Sequence, residues 1–170
     1  MMQPQQLRRR QVCAAFAGGL ALPAFSLLRP TLALAKDSAL PVPSSLPQAA
    51  MAAAAKNEPL VLLVSLPGCP YCELVRRSYL LPGQQEAGLH AWQLNITDKT
   101  TPLLGFDRQP TNAAAQIKQW KATFTPTVLF FGNRGQEVAE RLLGVAVPDF
   151  YGAYLEDRLA TARQALVAPG

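Results

Sequence analysis

The sequence predicts an α/β domain built on one mixed β-sheet with helices against both faces. Three observations lead there. Residues 60–66 and 127–131 are continuously apolar, the pattern of strands covered on both sides rather than strands with one wet face. Between these runs, segments with helical spacing alternate with a strand candidate, which calls for parallel crossovers. After the second run, Gly132-Asn133-Arg134-Gly135 reads as a hairpin turn, so the sheet ends antiparallel.

The elements follow in order. Residues 48–57 are alanine-rich and predict a short helix closed by Pro59. The strand at 60–66 stops at Pro67-Gly68. A helix from about Pro70 to Leu81 comes next: Pro70 suits a first turn, where its missing N–H is no loss, and Pro82-Gly83 ends it. Residues 89–96 form the second strand candidate, with Trp92, Leu94 and Ile96 on one face. Residues 97–112, rich in Thr, Pro, Gly and Asp, read as a loop insertion. Ile117, Trp120 and Phe124 at helical spacing make 113–124 an amphipathic helix. Beyond the hairpin turn, 136–143 continues the sheet. A last helix over 148–166 turns Phe150, Tyr154, Leu155 and Leu159 inward. The order is β-α-β-α-β-β-α behind a leading helix. Trp92 and Trp120 are expected in the core, and His90 at the exposed start of a strand.

The front of the chain has another character. Arg8-Arg9-Arg10 precedes an apolar stretch over 12–28, and Ala33-Leu34-Ala35 offers a small-x-small cleavage site before Lys36. This predicts an export signal over 1–35, a linker over 36–47 holding Pro41, Pro43 and Pro47, and a domain over 48–168. Gly18, Gly19, Pro23 and Arg29 interrupt the apolar run before it is long enough to span a bilayer, so no stable membrane insertion is expected after cleavage. The adjacent arginines are compatible with twin-arginine export, but Gln11-Val12-Cys13 departs from what usually follows them, and the general secretory route stays open. Either route predicts a periplasmic protein. Of sixteen basic residues four leave with the signal, while all eleven acidic residues stay, leaving one net positive charge. With the remaining lysines and arginines scattered, no nucleic-acid partner is expected.

Cys13 lies in the signal, so the mature chain keeps Cys69 and Cys72 alone. One closely spaced pair in an exported domain is no disulfide framework; it is a redox-active pair. Zinc needs two more ligands, and His90 is the sole histidine, so neither metal nor other cofactor is expected. Thiol–disulfide exchange needs an exposed, acidified thiolate and a second thiol to resolve the mixed disulfide. Cys69, at a helix start after Gly68, suits the attacking role, and Cys72, one turn inside, the resolving role. Pro70 and Tyr71 set the geometry between them.

The strand–Cys69-Pro70-Tyr71-Cys72–helix unit, followed by Thr125-Pro126-Thr127 entering an apolar strand, resembles the thioredoxin superfamily over about residues 48–166. Within it the chain is similar to exported thioredoxin-like proteins of the SoxW-type and thiol:disulfide interchange kind. The likeness rests on Glu73 after the pair, the loop insertion, Phe130-Phe131 and Gly144. The resemblance implies a thioredoxin fold, a cis Pro126 facing the cysteines, and Thr125 offering backbone hydrogen bonds to a bound peptide beside Pro70 and Tyr71. It also implies a monomeric reductase that takes electrons from a membrane thiol transporter and passes them to oxidised envelope proteins. Departures are plain. Leu63 stands where the family keeps a buried carboxylate, so proton transfer for Cys72 falls to water or Glu73. The other reading of Glu73 is a solvated residue offsetting the helix dipole. The Gly-Gly turn that helps dithiol glutaredoxins hold glutathione is missing. The rival readings are a disulfide donor, isomerase or glutaredoxin-like enzyme and, in another class, a non-catalytic binding or assembly factor.

Overall fold

The computed structural model describes residues 39–167; the expected signal over 1–35 lies outside the described residues. Strand β1 (Leu60–Ser65) is buried at every position and lies at the centre of the main sheet. On one side it pairs in parallel with β2 (Ala91–Asn95). On the other it pairs antiparallel with β5 (Thr127–Phe131), which pairs antiparallel with β6 (Leu142–Leu143), giving the order β2-β1-β5-β6. Two two-residue strands, Leu103–Leu104 (β3) and Pro110–Thr111 (β4), form a separate small antiparallel ladder inside the stretch expected to be plain loop.

The register sorts the core. Val61 opposes Phe130 and Leu63 opposes Val128, and these four face Val75, Leu80, Tyr151, Leu155 and Leu159 of the helices on that side. Leu60, Leu62, Leu129 and Phe131 face the other way, against helix α1 (Leu46–Ala54) and helix α4 (Ala113–Gln119). A period of two therefore divides two apolar strands between two cores, and that is why neither strand alternates in sequence.

Helix α1 starts two residues before the sequence reading. Ser45 caps it by accepting from the Gln48 N–H, and Pro47 sits in the first turn, so the last two expected linker residues are helical. Within the described part of that segment Leu40 is buried, and the Pro41 carbonyl accepts from the Gln93 N–H of edge strand β2.

Pro82-Gly83 does not end the helix that begins at Pro70. Helix α2 (Pro70–Val75) widens into a π-turn over Arg76–Leu80 and continues as α3 (Leu81–Glu86). The Leu81 N–H reaches back five residues to the Arg76 carbonyl. A helix can thus carry a proline that would otherwise clash with the carbonyl four residues back. The chain leaves at Gly88, whose positive φ of 69° suits glycine.

Helix α4 stops earlier than expected, at a left-handed Lys121, with the Ala122 N–H returning to the Ile117 carbonyl. Phe124 therefore lies beyond the helix, exposed. The last helix is displaced too: a 3-10 turn over Pro148–Phe150 precedes α5 (Tyr151–Val167), which buries Tyr151, Leu155, Leu159 and Ala162. Phe150 and Tyr154, expected inward, are exposed, because the 3-10 turn shifts the phase of the helix by a fraction of a turn. His90 is half-buried rather than exposed, with a buried Nε2 lacking a hydrogen-bond partner. Burial first, then the Lys56 charge, lowers its pKa. The strand expected over 136–143 is reduced to β6 and a single bridge between Phe131 and Glu137. Trp92 and Trp120 pack against the second core cluster.

Truncating Leu62 to Ala at the centre of that core is expected to cost about 2–5 kcal/mol of unfolding free energy. Ser45→Ala should cost about 1 kcal/mol. Urea unfolding of the two variants measures both, and the ranking fails if the cap substitution is the costlier one.

Candidate functional site

Cys69 sits at the end of a turn in which its N–H bonds the Leu66 carbonyl at 3.2 Å, and Gly68 supplies the left-handed φ of 76° the turn requires. Cys69 is itself the cap of α2: its Sγ accepts from the Cys72 N–H at 3.3 Å. The sequence places Pro at the first helical position, where a proline leaves no donor wasted. Both cysteines are free thiols, Cys69 half-exposed and Cys72 buried.

The environments push the two sulfurs apart. Burial alone would raise Cys69, but hydrogen bonds from the Cys72 side chain and N–H, from Thr125 and from the Tyr71 backbone outweigh it and hold the thiol below its ordinary value. Burial, then the neighbouring Cys69, pushes Cys72 up to about 11, against the lowering effect of the Leu66 backbone. One turn of helix thus separates a thiol made more acidic than usual from one made less acidic.

Thr125 and Pro126 come from the start of β5, the strand paired directly with β1. The Thr127 hydroxyl donates to the Phe124 carbonyl at 2.7 Å, closing the turn that presents them at the start of β5. The Thr125–Pro126 peptide bond is cis. Pro126 is buried, and its carbonyl accepts from the Gly144 N–H at 2.8 Å, tying the loop after β6 to the same corner. Tyr71 is 56% exposed, and Pro70 is exposed beside it.

Glu73 is turned to other work. Its carboxylate receives Arg76 and, at 3.0 Å, Arg77. The Arg76 hydrogen bond, followed by the charges of both arginines, holds its carboxyl below the usual carboxylate range. An ionised carboxylate committed to two guanidinium groups is a weak proton acceptor.

Two features escaped the sequence reading. Phe124, 59% exposed and one residue before Thr125, lies against Gly144, where any added Cβ would meet its ring at 3.0 Å. Helical spacing from Trp120 concealed it. Arg76 is only 9% exposed and donates to Gln93 of β2 at 2.7 Å, pinning the dithiol helix to the sheet. A charged residue at a helix position gives no sequence signal of burial. Among the described residues no group of three or more His, Cys, Asp or Glu side chains could hold a metal ion, and no helix is long and apolar enough to cross a membrane.

A central mixed sheet, a dithiol at the end of its middle strand and a cis-proline loop beside it define a thioredoxin-fold protein. The model of the thioredoxin-like domain family matches residues 46–159, and the chain belongs to that family. Solved structures similar to it include the reduced periplasmic thioredoxin SoxS from Paracoccus pantotrophus, 21% identical over 62% of this chain and 99% of that one, with a TM-score of 0.43. Oxidised thioredoxin O2 from Arabidopsis thaliana is 16% identical over 72% of this chain and 96% of its own, at a TM-score of 0.48. Oxidised mitochondrial thioredoxin 3 from Saccharomyces cerevisiae is 16% identical over 71% and 93%, at 0.47. No curated protein matches this chain.

Alkylation against pH measures the asymmetry of the thiols. Cys69 should reach half its maximal rate below the ordinary thiol value of 9.0, whereas Cys72 should stay unmodified until near pH 11. Equal rates at neutral pH would contradict the assignment.

Proposed function

We propose that this protein is a periplasmic thiol–disulfide oxidoreductase that reduces disulfides of envelope proteins, acting after removal of an export signal over residues 1–35. The observation that carries the reading is the pairing of an acidified, accessible Cys69 with a buried, protonated Cys72 one turn away, beside Thr125 and Pro126.

The chemistry runs in two displacements. The Cys69 thiolate attacks one sulfur of a substrate disulfide. A Cys69–substrate bond forms, the substrate's own S–S bond breaks, and the departing thiolate takes up a proton. Cys72 then loses its proton and attacks Cys69 Sγ. The Cys69–Cys72 disulfide forms, and the second substrate sulfur leaves and is protonated. The substrate has gained two electrons and two protons. A membrane thiol transporter would restore the dithiol by the same exchange in reverse. Thr125 lines the corner where an extended substrate segment would lie, and exposed Tyr71 and Phe124 flank it with apolar surface. Glu73 serves here as the partner of Arg76 and Arg77 rather than as a proton carrier.

In an assay with a disulfide-bonded protein and dithiothreitol as donor, Cys69→Ser should fall to the uncatalysed background. Cys72→Ala should accumulate mixed disulfides identifiable by mass spectrometry. Undiminished function in a Cys69→Ser strain would assign the fold to binding alone. Intact mass of the exported protein should place its first residue at Lys36.

A further inference from the structure

Three stretches of chain meet at the end of the sheet that carries the dithiol. Strand β1 runs out through Leu66 into the turn that ends at Cys69. Strand β5 enters at the same end, because Val64 of β1 opposes Thr127, so Phe124 and Thr125 arrive beside that turn. Strand β6 finishes there too: Leu143 opposes Thr127, and the Gly144 N–H bonds the Pro126 carbonyl. None of the three stretches carries charge, for no Asp, Glu, Lys, Arg or His lies within residues 60–72, 122–133 or 142–148. Of the charges that bracket them, Glu73 is held by Arg76 and Arg77, and Arg141 by Glu137. What the stretches do expose is apolar: Leu66, Tyr71, Phe124, Leu143 and Val147. Exposed apolar surface gathered around a reactive group marks a place where another molecule docks.

Within this surface the fold fixes the Phe124 ring from two sides. Helix α4 has already ended at the left-handed Lys121, so no helix covers the ring. The Phe124 carbonyl accepts from the Thr127 hydroxyl at 2.7 Å, which sets its backbone. The ring rests on Gly144, whose φ of 64° and missing Cβ make the room; a Cβ there would meet Cε1 at 3.0 Å. An exposed aromatic face held in this way is a preformed shelf, and little freedom is lost when another side chain lies on it.

The geometry points to Phe124 as a specificity-determining residue: its ring receives a large apolar side chain flanking the reactive half-cystine of an extended, uncharged substrate segment. This rests on the exchange chemistry proposed above, and the test separates the two. A charged side chain at the same place would lose water against the ring and find no counter-charge in the three stretches, so the site discriminates against it.

The probe is a set of short peptides whose single cysteine is disulfide-linked to the coloured thiol nitrothiobenzoate, with phenylalanine, leucine, alanine, lysine or aspartate on both sides of the cysteine. Cys69 attacks the peptide sulfur, forming a Cys69–peptide disulfide and expelling the coloured thiolate. Cys72 then attacks Cys69, the peptide thiol leaves with a proton, and Cys69–Cys72 closes. Each rate of colour release by reduced full-length protein is divided by the rate of that peptide with dithiothreitol. Only ratios between peptides are compared, so neither a peptide's own reactivity nor a change at Cys69 enters. The phenylalanine and leucine peptides should react about tenfold faster than the alanine peptide, and the charged ones slower still. Phe124→Ala should bring the apolar peptides within about twofold of the alanine peptide. Phe124→Lys should favour the aspartate peptide over the lysine peptide, which a merely structural role would not produce. Equal ratios across the peptides in the unsubstituted protein, or a preference that both variants keep, would overturn the role of Phe124. A dimer in sedimentation that dissociates in Phe124→Lys would overturn it too, by assigning the ring to a second copy of the chain. Colour release by Cys69→Ser as fast as by the unsubstituted protein would instead overturn the exchange mechanism itself.

Discussion

Everything at the functional end of this molecule depends on one short bond, the 3.3 Å contact from the Cys72 N–H to Cys69 Sγ. It makes the first sulfur a helix cap. A cap must accept, so the anionic form is favoured at that position and not at the next sulfur inward. The same bond fixes the direction of the helix, and with it the burial of Cys72. Two chemically identical side chains three residues apart thereby acquire opposite tendencies toward protons, and an exchange reaction needs that difference to proceed in order.

The rest of the fold holds this cap in place. Strand β1 delivers it from the centre of the sheet, buried on both faces, so the turn at Leu66–Cys69 begins from a rigid end. Arg76 fastens the following helix to Gln93 of β2, and Glu73 neutralises the guanidinium that would otherwise lie buried and alone. From the other side, β5 brings Thr125 and Pro126, with the Gly144 N–H bonded to Pro126 and the Phe124 ring lying over that glycine. The site is therefore assembled by two neighbouring strands whose register decides how far apart its halves stand.

Much of this was legible in the residues. The continuous apolar runs of β1 and β5 announce strands with two covered faces, and Pro70 after Cys69 announces a helix start. The failures have a common cause. Pro82-Gly83 looks like a stop, yet tertiary packing of Leu80, Leu81 and Leu89 carries the helix through by way of a π-turn. Phe124 looks like core, yet a left-handed Lys121 ends α4 and leaves it outside. Phe150 and Tyr154 look inward until a 3-10 turn rephases the helix toward Tyr151. In each case a local pattern competed with the packing of distant segments, and packing prevailed.

Sequence alone determined which atoms can react and the local element that displays them, because capping, strand burial and turn formation depend on neighbours within a few residues. Only the tertiary structure decided how the acidity of the two sulfurs differs and which side chains crowd the corner at Thr125. Those properties depend on dielectric surroundings and on contacts between segments far apart in the chain, which no local pattern records.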